Sequence, residues 1–323
     1  MDSRLVALRR WLAAQVRGAP FTIAPASADA SFRRYFRVRF ADGATAIAMD
    51  APPEREDCAP FVRVARLLRA AGVNAPEVLA QDPAQGFLLL TDLGTLTYLE
   101  ALGGLDPAPL MRDATAALVR WQLATRPGEL PSYDEALLAR EMALFPEWYC
   151  ARHLGRPLAP AQQEAFAAVA RLLVASALAQ PRVYVHRDYM PRNLMVAEPN
   201  PGVLDFQDAV EGPITYDIVS LVRDAFISWP EEQVLDWAVR YWERARGAGL
   251  PVEADFGEFW RAFEWMGLQR HLKVLGIFAR LHYRDGKSGY LQDTPRFLGY
   301  ARATARRYRL LAPLARLLDE IER

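Results

Sequence analysis

Lysine is almost missing from this chain. Of 39 basic residues among 323, only Lys273 and Lys287 are lysines, so nearly all the positive charge sits on arginine. Cysteine is as scarce: Cys58 and Cys150 are too few for a disulfide framework and lack any metal-ligand spacing, so both read as buried thiols. No sign of charge is in excess. Asp and Glu together also number 39, the formal net charge is zero, and no global field recruits nucleic acid or anionic lipid. No apolar run reaches the ~18 residues of a membrane span. The opening "MDSRLVALRRWLAAQVRG" carries Leu5, Leu8, Leu12 and Val16 at helical spacing, with Arg9 and Arg10 interrupting any signal-peptide core. A cytoplasmic protein is therefore expected. Internal repeats, low-complexity tracts and Gly/Ser linkers are missing too. What is present is 52% apolar and 24% charged, an ordinary globular composition with length for one or two cores.

The pattern of elements changes along the chain. "FTIAPASADASFRRYFRVRFADGATAIAMDAP" reads as strands around a turn at Asp42-Gly43, because Tyr35, Arg37 and Arg39 alternate with Phe36, Val38 and Phe40. "CAPFVRVARLLRAAGV" reads as a helix closed by Gly72, and "PEVLAQDPAQGFLLLTDLG" as a second hairpin turning near Asp82-Pro83. Beyond residue 95 the periodicity is helical, with helices expected over 107–125, 134–153, 160–179, 215–227, 231–248, 255–283 and 295–322. Strands return only around 183–206. The fold class is α+β: a small strand-rich part over 1–93 and a larger, mostly helical part over 94–323. A ligand cleft is expected where two such parts meet.

One stretch breaks the apolar rhythm: "VYVHRDYMPRNLMVAEPNPGVLDFQD". "LMVA" and "VLDF" are short apolar runs separated by "EPNPG", a turn with two prolines and a glycine. Folding that hairpin lays Leu194 near Phe206 and brings Asn193 to the same end as Asp205, with Asp188 one loop earlier. Carboxylates are rarely buried without a partner, since desolvating one costs several kcal/mol. Two carboxylates and an amide at one hairpin mouth form a hard-oxygen set suited to Mg²⁺, which takes a few protein oxygens together with phosphate and water.

The ordered set His186, Asp188, Asn193 and Asp205, as H-x-D-x-x-x-x-N followed by D-F, resembles kinases of the protein-kinase-like fold. Gln207 stands where protein kinases have glycine, and "EGPITYDIVSL" follows in place of an activation segment. The combination resembles the aminoglycoside phosphotransferase branch, whose members phosphorylate small molecules. The resemblance implies a two-lobe fold, ATP and Mg²⁺ as cofactors, Asp188 as the catalytic carboxylate, and Asn193 and Asp205 as metal ligands. It implies that His186 and Arg187 organise the loop. Asp217, in "TYDIVSL", resembles the acidic residue that braces the catalytic loop; it also reads simply as a helix-start carboxylate favoured by the helix dipole.

The nucleotide side departs from the protein-kinase pattern. "SADASFRRYFRV" replaces a Gly-rich loop, and Met49 in "TAIAMD" occupies the place of the expected strand lysine. Phosphate charge is then expected to meet arginine, with Ser31, Arg33 and Arg34 as candidates; an exposed hairpin face is the other reading of these arginines. Adenine is expected against the backbone of Thr91, Asp92 and Leu93. "RDGKSG" mimics the end of a P-loop, but Leu281 stands where its first glycine belongs and the segment follows a helix. Leu272, Leu275, Phe278 and Leu281 read as a buried helix stripe.

"LLAREMALFPEWYCARHLG", "LQRHLKVLGIFARLHYRDGKSGYL" and "DFQDAVEGPITYDIVSL" resemble segments of the bacterial sugar kinases that phosphorylate N-acetylmuramate and N-acetylglucosamine at the anomeric position. The resemblance implies an amino-sugar acceptor and a place in cell-wall recycling. Trp148, Tyr149 and Tyr290 are candidates for stacking on a sugar face, Glu141 for accepting its hydroxyls, and Arg270 or His271 for meeting a lactyl carboxylate. Core packing is the plainer reading of the aromatics. A kinase for an aminoglycoside or amino alcohol, and a non-catalytic nucleotide-binding module, are the alternatives. A monomer binding neither nucleic acid nor membrane is expected.

Overall fold

The computed structural model describes residues 2–16, 18–28 and 32–321. Among them, helix α1 (Ser3–Gln15) leads into strands β1 (Phe21–Ala28), β2 (Arg34–Phe40) and β3 (Thr45–Asp50). Helix α2 (Ala59–Ala70) follows, then strands β4 (Val78–Asp82) and β5 (Phe87–Thr91). The five strands form one antiparallel sheet in the order β1-β2-β3-β5-β4. The period-2 alternation decides its faces. Phe36, Val38, Ala46, Ala48, Phe87 and Leu89 bury against Leu8, Trp11 and Leu12 of α1. Met49 and Leu88, paired across β3 and β5, point the other way and are fully buried. Met49 thus has an apolar place, and a lysine there would have to be desolvated. The β4–β5 turn needs Gly86: its φ is +71°, and a Cβ would sit 1.8 Å from the Ala51 carbonyl oxygen.

Helices dominate the rest: α3 (Tyr98–Ala101), α4 (Pro107–Leu123), α5 (Glu135–Leu144) and α6 (Pro160–Ala179). Strands β6 (Arg182–Val185), β7 (Leu194–Met195), β8 (Gly202–Val203) and β9 (Val210–Pro213) come next. The chain ends in α7 (Tyr216–Val222), α8 (Glu231–Gly247), α9 (Phe256–Asp285), α10 (Thr294–Arg307) and α11 (Ala312–Ile321). Strand β6 pairs with β9 and β7 with β8, both antiparallel.

Several expected elements end early, each for a local reason. The helix over 134–153 changes to a π-helix at Phe145–His153, where Pro146 lacks the N–H that would continue the α register. The helix over 215–227 stops at Val222, and the Asp224 carboxylate accepts the Phe226 N–H at 3.1 Å in place of a helical bond. The helix over 295–322 breaks at Tyr308, whose backbone is extended and whose hydroxyl donates to Glu264 at 2.6 Å. Strand β9 (VEGP) is unforeseen, because glycine and proline hide a strand that only pairing with β6 creates. In the central hairpin Leu194 pairs with Val203, not beside Phe206, since each strand is only two residues long.

Contacts group the chain into two compact units, Met1–Trp121 with Pro191–Asp208, and Gln122–Met190 with Ala209–Arg323. A boundary after residue 93 falls inside the first unit. The segment beyond β5 is stitched to the hairpin there, with the Val196 N–H donating to Leu96 O at 2.8 Å and Thr97 bridging Met195. The second unit's core gathers around α9, with Leu268, Leu272, Leu275 and Phe278 meeting Phe145, Phe166, Phe297 and Leu314. Helix α9 passes the end of α5 so closely that a Cβ on Gly276 would lie 2.4 Å from the Leu144 carbonyl carbon.

Candidate active site

In the second unit, β6 delivers His186, Arg187 and Asp188 to a loop held from three sides. Asp217, fully buried in the first turn of α7, accepts the His186 N–H at 2.7 Å and the Arg187 N–H at 3.0 Å. Burial raises the Asp217 pKa to about 7, against the pull of those two N–H groups. Arg187 has φ of +75°, a left-handed conformation that costs a non-glycine residue of order 1–3 kcal/mol. Its Nη2 donates to Glu141 at 2.5 Å, so backbone and side chain are pinned together. The Asp188 N–H donates to Nδ1 of His186 at 3.3 Å, which requires that nitrogen to be unprotonated. The His186 ring meets Tyr189 edge-on, 5.6 Å between centroids. The outcome is a half-buried Asp188 carboxylate on a tightly braced loop.

In the first unit, the β7–β8 hairpin holds Asn193 and Asp205 at one mouth. The Leu204 N–H donates to Asn193 O at 2.9 Å, and Asn193 Nδ2 lies 3.3 Å from Asp205 Oδ2. Asp205 too is left-handed, at φ +61°. Gln207, in the place where protein kinases carry glycine, donates Nε2 to Asp205 Oδ1 at 2.9 Å and steadies that carboxylate. Phe206 is fully buried against Phe61 of α2, ring centroids 4.8 Å apart. The residues following β5 share this unit. Leu93 packs on the hairpin so tightly that a Cβ on Gly202 would touch it at 3.0 Å. Asp92 is held by Arg37 at 2.6 Å and by the Gly94 N–H at 3.0 Å. Thr91 donates its own N–H to Glu77 O at 3.0 Å, so that group is engaged within the sheet rather than offered to adenine.

The arginines expected at phosphates are paired inside the unit. Arg34 forks onto Asp50, with Nε at 3.0 Å, and also reaches Asp2; Arg4 shares the fully buried Asp50. Arg33 pairs with Glu56 at 2.9 Å. Ser31 lies outside the described residues. Arg34 thus serves as counter-charge to the buried Asp50, which needs a partner once it is desolvated.

The acceptor candidates all belong to the second unit. Trp148 lies half-buried on the π-helix, against the core around α9. Tyr149 is buried in the core and stacked on Phe145, and half-buried Tyr290 packs against Phe278 at the core's edge. Arg270 and His271 are buried on α9. The His271 ring lies 5.1 Å from Tyr300 and 5.5 Å from Phe297, and burial holds its pKa well below the usual histidine value, so it is neutral. Arg270 acts electrostatically on Asp217 and Asp224. Glu141 is no open acceptor for a hydroxyl. Its carboxylate binds Arg187, Lys273 at 2.9 Å, the Tyr133 hydroxyl and Gln269 at 3.4 Å. Tyr133 and Lys273 carry no motif and were not foreseen, and Gln207 stood out only as a departure from the kinase glycine. The one signal was Lys273 itself, a rare lysine inside an apolar helical stripe.

Among the described residues no cluster of three or more His, Cys, Asp or Glu side chains is arranged to hold a metal. Asn193 and Asp205 supply a hard-oxygen pair, as expected of a cation whose other ligands are phosphate and water.

The Asp188 loop of the second unit, and the five-stranded sheet and Asn193/Asp205 hairpin of the first, belong to a chain that sequence comparison places in a known family. The model of the phosphotransferase enzyme family matches residues 22–253. The chain belongs to that family. This phosphotransferase is 51% identical to the N-acetylmuramate/N-acetylglucosamine kinase of Neisseria meningitidis serogroup B, over 98% of this chain and 96% of that one. It is 54% identical to the kinase of the same name from Pseudomonas aeruginosa, over 94% and 89%. A choline/ethanolamine kinase family protein from Mesorhizobium loti shares the fold at TM-score 0.64 and 16% identity, over 97% and 99%. The phosphotransferase thus has a protein-kinase-like fold and acts on a hydroxyl acceptor. Among the described residues, none of its helices is long and apolar enough to cross a membrane.

Proposed function

We propose that this phosphotransferase transfers the γ-phosphate of ATP to the C1 hydroxyl of N-acetylmuramate or N-acetylglucosamine, giving the sugar 1-phosphate. The observation that carries the reading is identity above half, over nearly the whole chain, to kinases named for these two sugars. In this reading Asp188 orients the anomeric hydroxyl and accepts its proton. That hydroxyl is more acidic than the other ring hydroxyls, so one modest base is enough when the phosphate charge is neutralised. Asn193 and Asp205 would hold Mg²⁺, and the bound ion supplies charge neutralisation at the phosphates. The backbone of Asp92 and Leu93 takes the adenine, and Trp148, Arg270 and His271 serve the sugar side. A cytoplasmic monomer returning cell-wall sugars to use fits this chemistry.

The test is the methyl glycoside, in which C1 carries no free hydroxyl. It should bind and not react, while the free sugar gives an acid-labile phosphate coupled to the C1 proton in the NMR spectrum. Turnover of the methyl glycoside, or a stable 6-phosphate, would refute the regiochemistry. Turnover of an aminoglycoside or amino alcohol with neither sugar accepted would refute the acceptor.

A further inference from the structure

Helix α9 is buried along most of its length, and an apolar face there would be enough for packing. Instead it turns Gln269 and Lys273, one helical turn apart, onto the same carboxylate of α5. Glu141 Oε1 lies 2.9 Å from Lys273 Nζ and 2.5 Å from Arg187 Nη2, while Oε2 takes Gln269 and the Tyr133 hydroxyl. Lys273 also donates to the Tyr216 hydroxyl at 3.0 Å. Tyr216 precedes Asp217, the carboxylate that receives the backbone N–H groups of His186 and Arg187. The loop is therefore held at its backbone by α7, at its Arg187 side chain by α5, and α5 and α7 are joined through Lys273.

We infer that Glu141 and Lys273 are positioning residues for phosphoryl transfer, acting on Asp188 through Arg187. The inference rests on the proposed role of Asp188. Three features of the network point past simple stability. First, two cations share one carboxylate in a buried place where well-packed apolar side chains would serve stability as well. Second, Arg187 sits in a backbone conformation that glycine adopts at no steric cost, so what the arginine adds is its side chain and the tie to Glu141. Third, both Arg187 and Lys273 act electrostatically on Asp188. Burial works against the Glu141 carboxylate, yet Lys273 and Arg187 hold its pKa below the ordinary value, so the network stays ionised.

Four variants test this: Glu141→Gln, Glu141→Asp, Lys273→Met and Lys273→Arg. Each is measured for kcat, for ATP and sugar KM, and for melting temperature. Loosening the loop by a fraction of an ångström misplaces the reacting groups, so kcat in Glu141→Gln and Lys273→Met should fall about ten- to a hundredfold. ATP KM should stay within about threefold, because Asp92, Leu93, Asn193 and Asp205 belong to the other compact unit. Lys273→Arg and Glu141→Asp keep the charges and should recover most of kcat. A folded Glu141→Gln with kcat near wild type, or Lys273→Met and Lys273→Arg impaired alike, would overturn the inference. So would losses of kcat that merely follow the folded fraction. Wild-type enzyme that phosphorylates neither sugar in the same assay would instead refute the proposed function.

Discussion

Replacing Asp217 with asparagine asks how far the proposed catalytic loop, residues 186–188, depends on a charged brace. The two carboxylate oxygens accept N–H groups from His186 at 2.7 Å and Arg187 at 3.0 Å, deep in the protein. Asparagine offers one carbonyl oxygen, so one of those N–H groups would face an NH₂. A hydrogen bond to a charged acceptor is worth about 1.5–3 kcal/mol, which at about 1.4 kcal/mol per tenfold is roughly a 10- to 150-fold loss in kcat if it falls on the loop geometry. The pH dependence sharpens this. Burial raises the Asp217 pKa to about 7, with Asp188 adding to the rise and Arg270 opposing it. Below that pH the carboxyl carries a proton that opposes one of the donors, so wild-type kcat should fall as pH drops through about 7. The asparagine variant lacks the titration and should lose that limb of the profile. Stability runs the opposite way. With a folded pKa above the ordinary 3.8, the native state binds the extra proton between the two values. The Asp217 contribution is therefore most favourable in acid and is lost as pH rises toward 7, by about 4 kcal/mol if the whole shift is expressed. Steady-state kcat and urea melts across this pH range, for both proteins, measure the two effects. An asparagine variant with near-wild-type kcat on the alkaline side and the same acid limb would refute the reasoning.

Three further outcomes are expected. Asp188→Asn should lower kcat by about 10²-fold or more with ATP binding retained, and Asp205→Ala should abolish divalent-dependent turnover; steady-state kinetics with metal titration reads both. Arg34→Ala should leave ATP KM near wild type while lowering stability by about 1–3 kcal/mol, because buried Asp50 is left with Arg4 alone. A raised ATP KM without loss of stability would return Arg34 to the phosphates. Gly276→Ala places a Cβ 2.4 Å from the Leu144 backbone and should cost about 1–3 kcal/mol or more by thermal melt, since backbone cannot step aside as a side chain can.

The sequence alone determined what is local. His186, Asp188, Asn193 and Asp205 lie close along the chain, so their spacing and the two-proline turn mark the candidate site. Period-2 alternation likewise announces Phe36 and Val38 as one sheet face. Tertiary structure decided the partners of those residues. Asp217 and Glu141, which hold the loop, are 31 and 46 residues from the groups they bind, and Gln269 meets Glu141 across 128. No periodicity encodes such pairings. A charged residue reads the same whether water or a buried counter-ion will receive it, so the ion pairs of Glu141 and Arg34 were not legible. Burial separates the two cases, since a desolvated charge must be paired and the pairing uses up the group. Packing around α9 and the sheet sets that burial, so the partners of Lys273, Glu141 and Arg34 became legible only once the chain was folded.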